Sequence, residues 1–303
     1  MSMLRRIDRP HSLLAPIATA LLLALASATF AAAPRDLMRG GPAFRSAAPT
    51  AAADAAPAFR GCGNPNPDIL PPQSMPFGKS YGGWAAAWWV WDYSIPFATN
   101  PILDPTGEDQ SQKQSGPVWF LAGDAGGAVE RTVQIPVGRA IFVPLINVAN
   151  DYPCPDPTFQ PAPGQSLADF LTQGAEAIIA NVDGLSAELD GRTLVDLFDY
   201  KGLSRLSTLT GDLSMQAFDG CITGTPQPFV ADGYWLMIHP LTPGAHTLHL
   251  TSSAYGGGFT LDVLYHLQIT TGRRDSQTVD LVPWTPAPAR AGESWGRLKL
   301  IYR

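Results

Sequence analysis

Positive charge is scarce in this sequence of 303 residues. It has 20 lysines and arginines against 26 aspartates and glutamates, a formal net charge of −6. Binding to nucleic acid or to an anionic membrane surface needs clustered cations. No basic run follows the N-terminal segment, so we expect no nucleic-acid partner.

Several catalytic signatures are missing as well. The sequence contains no Gly-x-Ser-x-Gly, no His-Glu-x-x-His and no Gly-rich turn of the dinucleotide or phosphate-loop type. These absences disfavour a serine hydrolase of the α/β type, and they predict no cofactor. The cysteine spacings match no zinc pattern, so no metal site is predicted.

The sequence has only three cysteines, Cys62, Cys154 and Cys221, which is an odd number. In an exported protein, an odd count usually means one bridge and one spare thiol. Cys154 and Cys221 both lie in the part expected to be ordered, so we predict a disulfide between them. Closing that loop would stabilise the fold by about 4 kcal/mol in the chain-entropy treatment. Cys62 is predicted to be a free or intermolecular thiol.

The N-terminal segment has the pattern of a secretory signal. Arg5, Arg6 and Arg9 precede an apolar run over residues 13–25, and an alanine-rich stretch follows. Such a run is too short for a permanent membrane anchor. We therefore predict a signal peptide over residues 1–33, export to the periplasm or the exterior, and no membrane span in the mature chain.

Residues 34–73 are rich in alanine and proline and contain few large apolar side chains. Because little apolar surface is available to offset the entropy of ordering, this stretch is predicted to be a disordered tether, or a pro-segment. The folded domain is then expected over residues 74–303.

The domain itself has the composition of a loop-rich β protein, with 29 glycines, 29 prolines and 15% charged residues. Apolar and β-branched runs alternate with turn residues, and two helical patterns, over residues 79–96 and 166–182, begin after Ser80 and Ser166. We predict a mainly β fold, an antiparallel β-sandwich of jelly-roll or immunoglobulin-like type with one or two short helices.

The clearest strand covers Phe259–Thr270, where apolar and polar residues alternate. If a loop over residues 254–257 joins it to the preceding strand, His249 lies opposite Asp262 and His266 lies opposite Ala245. A carboxylate beside an imidazole suits acid–base chemistry. An ordinary surface pair is the alternative interpretation.

A second candidate is the acidic loop that contains Asp104, Glu108 and Asp109. Two carboxylates across a groove could hydrolyse a glycosidic bond. Alternatively, Asp104 only forms the turn of the Asp-Pro-Thr-Gly sequence, while Glu108 and Asp109 are solvated.

The third candidate is the tryptophan-rich stretch over residues 79–96. Exposed aromatic rings can stack on sugars, and Trp84 and Trp89 are the predicted ligand-binding residues. An aromatic stripe at helical spacing can instead pack against a sheet and bury apolar area.

The chain also resembles a group of exported bacterial proteins of unassigned function. The resemblance is carried by short motifs, namely residues 80–84, 88–91, 94–96, 104–107, 114–123, 232–235 and 259–267. It covers most of the chain after the tether. The resemblance implies an exported protein but no particular reaction.

These observations lead to one main functional hypothesis and two alternatives. The main hypothesis is an exported β-sandwich protein that binds a polysaccharide or another extracellular polymer through surface aromatics. The first alternative is a hydrolase or lyase acting on a glycan or polyester through Asp104 and Glu108 or through His249 and Asp262. The second is an envelope scaffold for other proteins.

Overall fold

The computed structural model describes residues 64–271. The predicted signal peptide, most of the predicted tether and Cys62 lie outside the described residues. Two α-helices and nine strands make up the described domain. In chain order they are α1 (Tyr81–Ser94), β1 (Val118–Phe120), β2 (Gly127–Pro136), β3 (Ala140–Asp151), α2 (Leu167–Ile179), β4 (Val182–Leu189), β5 (Arg192–Thr193), β6 (Ser207–Leu209), β7 (Gln227–Ile238), β8 (Gly244–Ala254) and β9 (Phe259–Thr270).

The strands form two sheets. The four-stranded sheet has the order β1-β3-β7-β6, and the five-stranded sheet has the order β2-β9-β8-β4-β5. The predicted mainly β class with two helices is therefore confirmed.

Both sheets are mixed, which differs from the antiparallel pairing expected from the sequence. β1 pairs in parallel with β3, and β2 pairs in parallel with β9 over ten residue pairs. β9 is far from β2 in the chain, and because no hairpin joins the two strands, their relative direction is not fixed by a turn. Alternating hydrophobicity indicates a strand, but it does not identify the strand's neighbour.

The core lies where the two sheets meet. β9 buries Phe259, Leu261, Val263, Tyr265, Leu267 and Ile269, as the alternating pattern predicts. The last four join buried residues of the four-stranded sheet and of α1, whereas Phe259 and Leu261 belong to a second cluster with α2. The Ser252 hydroxyl of β8 donates to the Leu145 carbonyl of β3 at 2.9 Å, which ties one sheet to the other.

Helix α1 begins where its cap residue predicts. The Ser80 hydroxyl accepts a hydrogen bond from the Gly83 N–H at 3.1 Å, which satisfies one of the unpaired donors of the first turn. The helix packs against β7 and β6. Its end at Ser94 agrees with the restriction that Pro96 places on Ile95.

Two neighbouring glycines of α1 allow a matched test of this packing. An added Cβ at Gly82 would lie 1.9 Å from the Leu203 carbonyl oxygen, whereas at Gly83 its nearest neighbours would be at 3.5 Å. We expect Gly82→Ala to lower the free energy of unfolding by about 2 kcal/mol or more. Gly83→Ala should instead raise it by up to about 1 kcal/mol, because alanine favours the helix. Urea unfolding measures both, and equal effects would contradict the close packing.

Helix α2 is also capped as predicted, with the Ser166 hydroxyl accepting from the Asp169 N–H at 3.1 Å. It ends at Ile179 and not at the predicted Val182, which instead begins β4. The helix packs on β3 and β7 over a second, smaller apolar cluster. The predicted disulfide between Cys154 and Cys221 is confirmed.

The N-terminal boundary of the domain differs from the prediction. The sequence predicts that residues 64–73 belong to the tether, but Ile69 is fully buried and pairs with Ile238 at the end of β7. Asn66 is also buried, and its amide donates to the Val195 carbonyl at 2.8 Å. This part of the tether prediction is wrong, because a buried apolar residue and several hydrogen bonds to distant parts of the chain hold the segment against the domain.

Within residues 64–271, neither helix has the length and apolar character needed to cross a membrane.

Candidate functional site

The tryptophans of α1 are inside the protein. Trp84 is 7% exposed and Trp89 is 1% exposed, so neither can serve as the predicted surface platform. The rings pack edge to face with each other and with the four-stranded sheet; for example, the Trp88 and Trp235 centroids are 5.6 Å apart. The prediction failed because other parts of the fold cover α1 on almost every side. A helix that is apolar all round is buried, so its aromatic side chains do not reach the surface.

Hydrogen bonds fix three of these indoles in place. Trp84, Trp88 and Trp91 donate their ring N–H to backbone carbonyls at 2.8–2.9 Å. A buried indole normally finds such an acceptor. The cluster is therefore a structural core.

The acidic loop is held together by Asp104. One carboxylate oxygen accepts from the Thr106 N–H and hydroxyl, both at 2.7 Å, and the other accepts from the Gly107 and Asp109 N–H groups, both at 2.9 Å. Burial alone would raise the pKa of Asp104, but these hydrogen bonds outweigh it and lower the pKa below its usual value. Asp104 therefore stabilises its own turn.

A groove beside this loop is lined by Phe97, Asn100, Leu103, Asp104 and Asp109 among others. Glu108 does not line it and is exposed at the start of a short 3₁₀ turn. A glycosidase needs two carboxyl groups that face the same groove, one as the acid and one as the base or nucleophile. Both oxygens of Asp104 accept hydrogen bonds within its own turn and Glu108 does not line the groove, so this arrangement does not favour the predicted Asp104–Glu108 pair.

His249 and Asp262 are in contact, as predicted, but not through the predicted register. The His249 Nε2 atom lies 2.7 Å from the Asp262 Oδ1 atom. His249 is directly opposite Leu264, and Asp262 is opposite Thr251. The strand pairing extends to Ala254 and Phe259, which shifts the register by two residues. A shift of two preserves the face, so the pair meets diagonally.

A second pair of this kind lies on the same face. The His266 Nε2 atom is 2.6 Å from the Glu130 Oε1 atom. His266 is opposite Thr247 of β8 and Thr132 of β2, so the predicted position opposite Ala245 is wrong. The sequence could not indicate the contact with Glu130, because it depends on the parallel pairing of β2 with β9.

These pairs belong to a broad polar surface that we call the outer face. It consists of the side chains that alternate away from the core on β2, β9, β8 and β4. Its hydrogen-bonding members include Glu130, Thr132, Gln134, Ser186, Glu188, Thr247, His249, Thr251, Asp262, His266 and Gln268.

The centre of the outer face combines imidazole, carboxylate and hydroxyl groups. Glu188 lies opposite His249 on β4, and Leu264 lies opposite it on β9. His249 and Asp262 are each about half exposed, with side-chain exposures of 46% and 53%. With strands about 4.8 Å apart, the four strands give an open surface about 15 Å across. These side chains lie on the surface of the sheet and are open to solvent.

A separate polar cluster is enclosed in the core around Arg131 of β2. Its guanidinium is buried and donates to the backbone carbonyls of Asp104, Ala122 and Gly123. Asp92 of α1 is fully buried nearby, and burial raises its pKa to about 8, although the Asn100 amide and the Arg131 charge act against the rise. Sequence reasoning missed this cluster because charged residues on strands and helices are usually exposed.

Comparisons of the chain with known protein families, with characterised proteins and with solved structures find no match.

Proposed function

We propose that the protein is an exported binding protein whose outer face holds a polysaccharide of neutral or positive charge. The observation that supports this most is the outer face itself, a wide exposed surface of hydroxyl, amide, imidazole and carboxylate groups. Such groups suit a polyhydroxylated ligand, since each can exchange a hydrogen bond with water for one with a sugar hydroxyl. The confirmed disulfide is compatible with export.

The two histidines are the best-positioned ligand contacts. Each keeps its Nε2 atom on a carboxylate, which fixes the orientation of the ring. The Nδ1 atom of each ring is then the nitrogen available to a sugar hydroxyl. Binding therefore requires no conformational change in these side chains.

The charge of the surface selects among polymers. Three carboxylates, Glu130, Glu188 and Asp262, belong to the outer face, and the whole chain has a net charge of −6. An anionic polymer would be repelled, so we expect dextran, xylan or chitosan to bind and alginate not to bind.

A double variant tests this proposal. We expect His249→Ala with His266→Ala to weaken binding to the best of these polysaccharides about tenfold or more, because two hydrogen bonds of about 1 kcal/mol each are lost. Isothermal titration calorimetry with the four polymers measures the affinities.

His239→Ala is the matched control, because His239 is an exposed histidine outside the sheet, just after β7. It should bind as the wild type does. The proposal fails if the wild type binds none of the polymers, or if the control loses as much affinity as the double variant.

A further inference from the structure

The imidazole of His246, near the start of β8, lies between two hydrogen-bond acceptors. Its Nδ1 atom is 2.6 Å from the Asp190 Oδ2 atom, and its Nε2 atom is 2.9 Å from the Thr242 carbonyl oxygen. A carboxylate and a backbone carbonyl accept hydrogen bonds but donate none. Both ring nitrogens must therefore carry a proton for both bonds to form, and a histidine with two N–H groups is the charged imidazolium.

The two acceptors lie on turns whose backbones are restricted. Asp190 and Gly191 join β4 to β5 with positive φ angles of 51° and 75°, the pattern of a two-residue type I′ hairpin turn. The Asp190 Oδ1 atom also accepts from the Thr247 N–H at 2.8 Å, which ties this turn to β8. Thr242 precedes Pro243, which favours an extended backbone at Thr242. The ring therefore joins the β4–β5 turn, the β7–β8 loop and β8.

The charged and titratable groups around the ring come from three neighbouring elements. Directly opposite the ring on β9 is the apolar Leu267. Arg192 of β5 pairs with Asp68, and the exposed His239 of the β7–β8 loop donates its backbone N–H to the Asp68 carbonyl. Within residues 64–271, the charged side chain that bonds to the ring is therefore Asp190.

These surroundings favour the charged ring. The side chain of His246 is 13% exposed, and burial alone would lower its pKa. The bond to Asp190, the bond to the Thr242 carbonyl and the charge of Asp190 outweigh burial and raise the pKa above the ordinary value of 6.5. The two bonds therefore stabilise the fold fully below the ordinary pKa, and this contribution is lost as the pH rises through the pKa of the folded protein.

We propose that His246 is a pH-sensitive switch that exchanges the carbonyl of Thr242 for the hydroxyl of the same residue when the ring loses a proton. The Nε2 proton passes to solvent, while Nδ1 keeps its proton because the Asp190 carboxylate accepts it. The Nε2 lone pair then faces the carbonyl oxygen at 2.9 Å, which is repulsive. The Thr242 Oγ1 atom, 3.4 Å from Nε2, can donate to it instead. The β7–β8 loop must shift to shorten this bond, and Leu241, which packs against the main core, moves with it. This switch needs no ligand, so it is independent of the proposed function.

A pH titration of the full chain labelled with ¹⁵N and ¹³C tests the switch by NMR. At pH 6 both nitrogens of the His246 ring should be protonated, and Nε2 should lose its proton first as the pH is raised. The ¹³C resonance of the Thr242 carbonyl and the amide resonance of Leu241 should shift with the midpoint of the ring. A ring with a single proton at pH 6, or loop resonances that do not follow the ring, overturns the proposal.

Two substitutions should move the titration midpoint of the ring in opposite directions. Asp190→Asn should lower it, because the carboxylate favours the imidazolium. Thr242→Val should raise it, because valine keeps the carbonyl but removes the hydroxyl that stabilises the neutral ring. Asp199→Asn, an exposed substitution in another part of the chain, should leave it unchanged. The remaining amide resonances show whether each variant is folded. An ordinary ion pair without the exchange would be insensitive to Thr242→Val, so an unchanged midpoint in that variant also overturns the proposal.

Discussion

Replacing Arg131 with methionine is expected to lower the free energy of unfolding by about 4 kcal/mol or more. The guanidinium is 1% exposed, and it donates at 2.7 Å to the Asp104 carbonyl and at 2.8 Å to the Ala122 carbonyl, with a third bond to Gly123. Methionine fills the space but leaves the buried carbonyls of Asp104 and Gly123 without the guanidinium donors, whereas the Ala122 carbonyl keeps the Tyr265 hydroxyl at 2.6 Å. Each unsatisfied buried group costs about 1–3 kcal/mol.

Urea unfolding of Arg131→Met and of the exposed Arg205→Met measures the difference. The Arg205 variant should change stability by less than about 0.5 kcal/mol, because exposed substitutions away from special features have small effects. Arg131→Lys should restore little of the lost stability, since an ammonium group cannot reproduce the rigid, planar arrangement of donors in the guanidinium. An Arg131→Met protein as stable as the wild type would show that the buried network contributes nothing.

The second large effect is a pH dependence introduced by Asp92. Burial raises its pKa to about 8 in the folded protein, from an ordinary value of 3.8. Between these two pH values the folded state holds one more proton than the unfolded state. The ionisation of Asp92 should therefore lower the free energy of unfolding of the wild type as the pH rises from about 4 to about 8.

Asp92→Asn removes this titration. The stability of the variant relative to the wild type should rise steadily between pH 4 and pH 8 and level off above that range. The rise should be on the order of several kcal/mol, because one unit of pKa shift corresponds to about 1.4 kcal/mol. Urea unfolding of both proteins at pH 5, 6.5, 8 and 9 measures the difference, which would be constant if Asp92 ionised normally.

Asp104→Asn provides the opposite case. The pKa of Asp104 is lowered in the folded state, so its carboxylate stabilises the protein above the ordinary pKa. That contribution is lost as the pH falls through the folded pKa. Asp104→Asn should therefore lower the free energy of unfolding at neutral pH, and this loss should become smaller in acid. Asp92→Asn should show the opposite dependence, with stability relative to the wild type rising with pH.

Local features of the fold could be predicted from the sequence. The hydroxyls of Ser80 and Ser166 cap the helices that were expected after them, and Phe259–Thr270 alternates as a strand with one buried face. The disulfide follows from the position of two cysteines in the ordered region. Each of these depends on neighbours in the chain or on composition.

Features that depend on distant partners could not be predicted. The parallel pairing of β2 with β9 places Glu130 beside His266 and encloses Arg131, and no local signal identifies that neighbour. Similarly, the sequence shows aromatic residues at helical spacing, but the number of elements around α1 decides whether Trp89 is exposed. The outer face was therefore visible from the sequence only as the single pair His249–Asp262.

One measurement tests the outer face as the ligand-binding surface most directly. A ¹⁵N-labelled sample of the protein is titrated with short xylan, dextran and chitosan oligosaccharides while its amide and imidazole resonances are followed. We predict that the shifts concentrate on Thr132, Thr247, His249, Thr251 and His266. Shifts confined to the loop around Asp104 or to residues of α1, or no shifts with any of the three sugars, would contradict the proposed function.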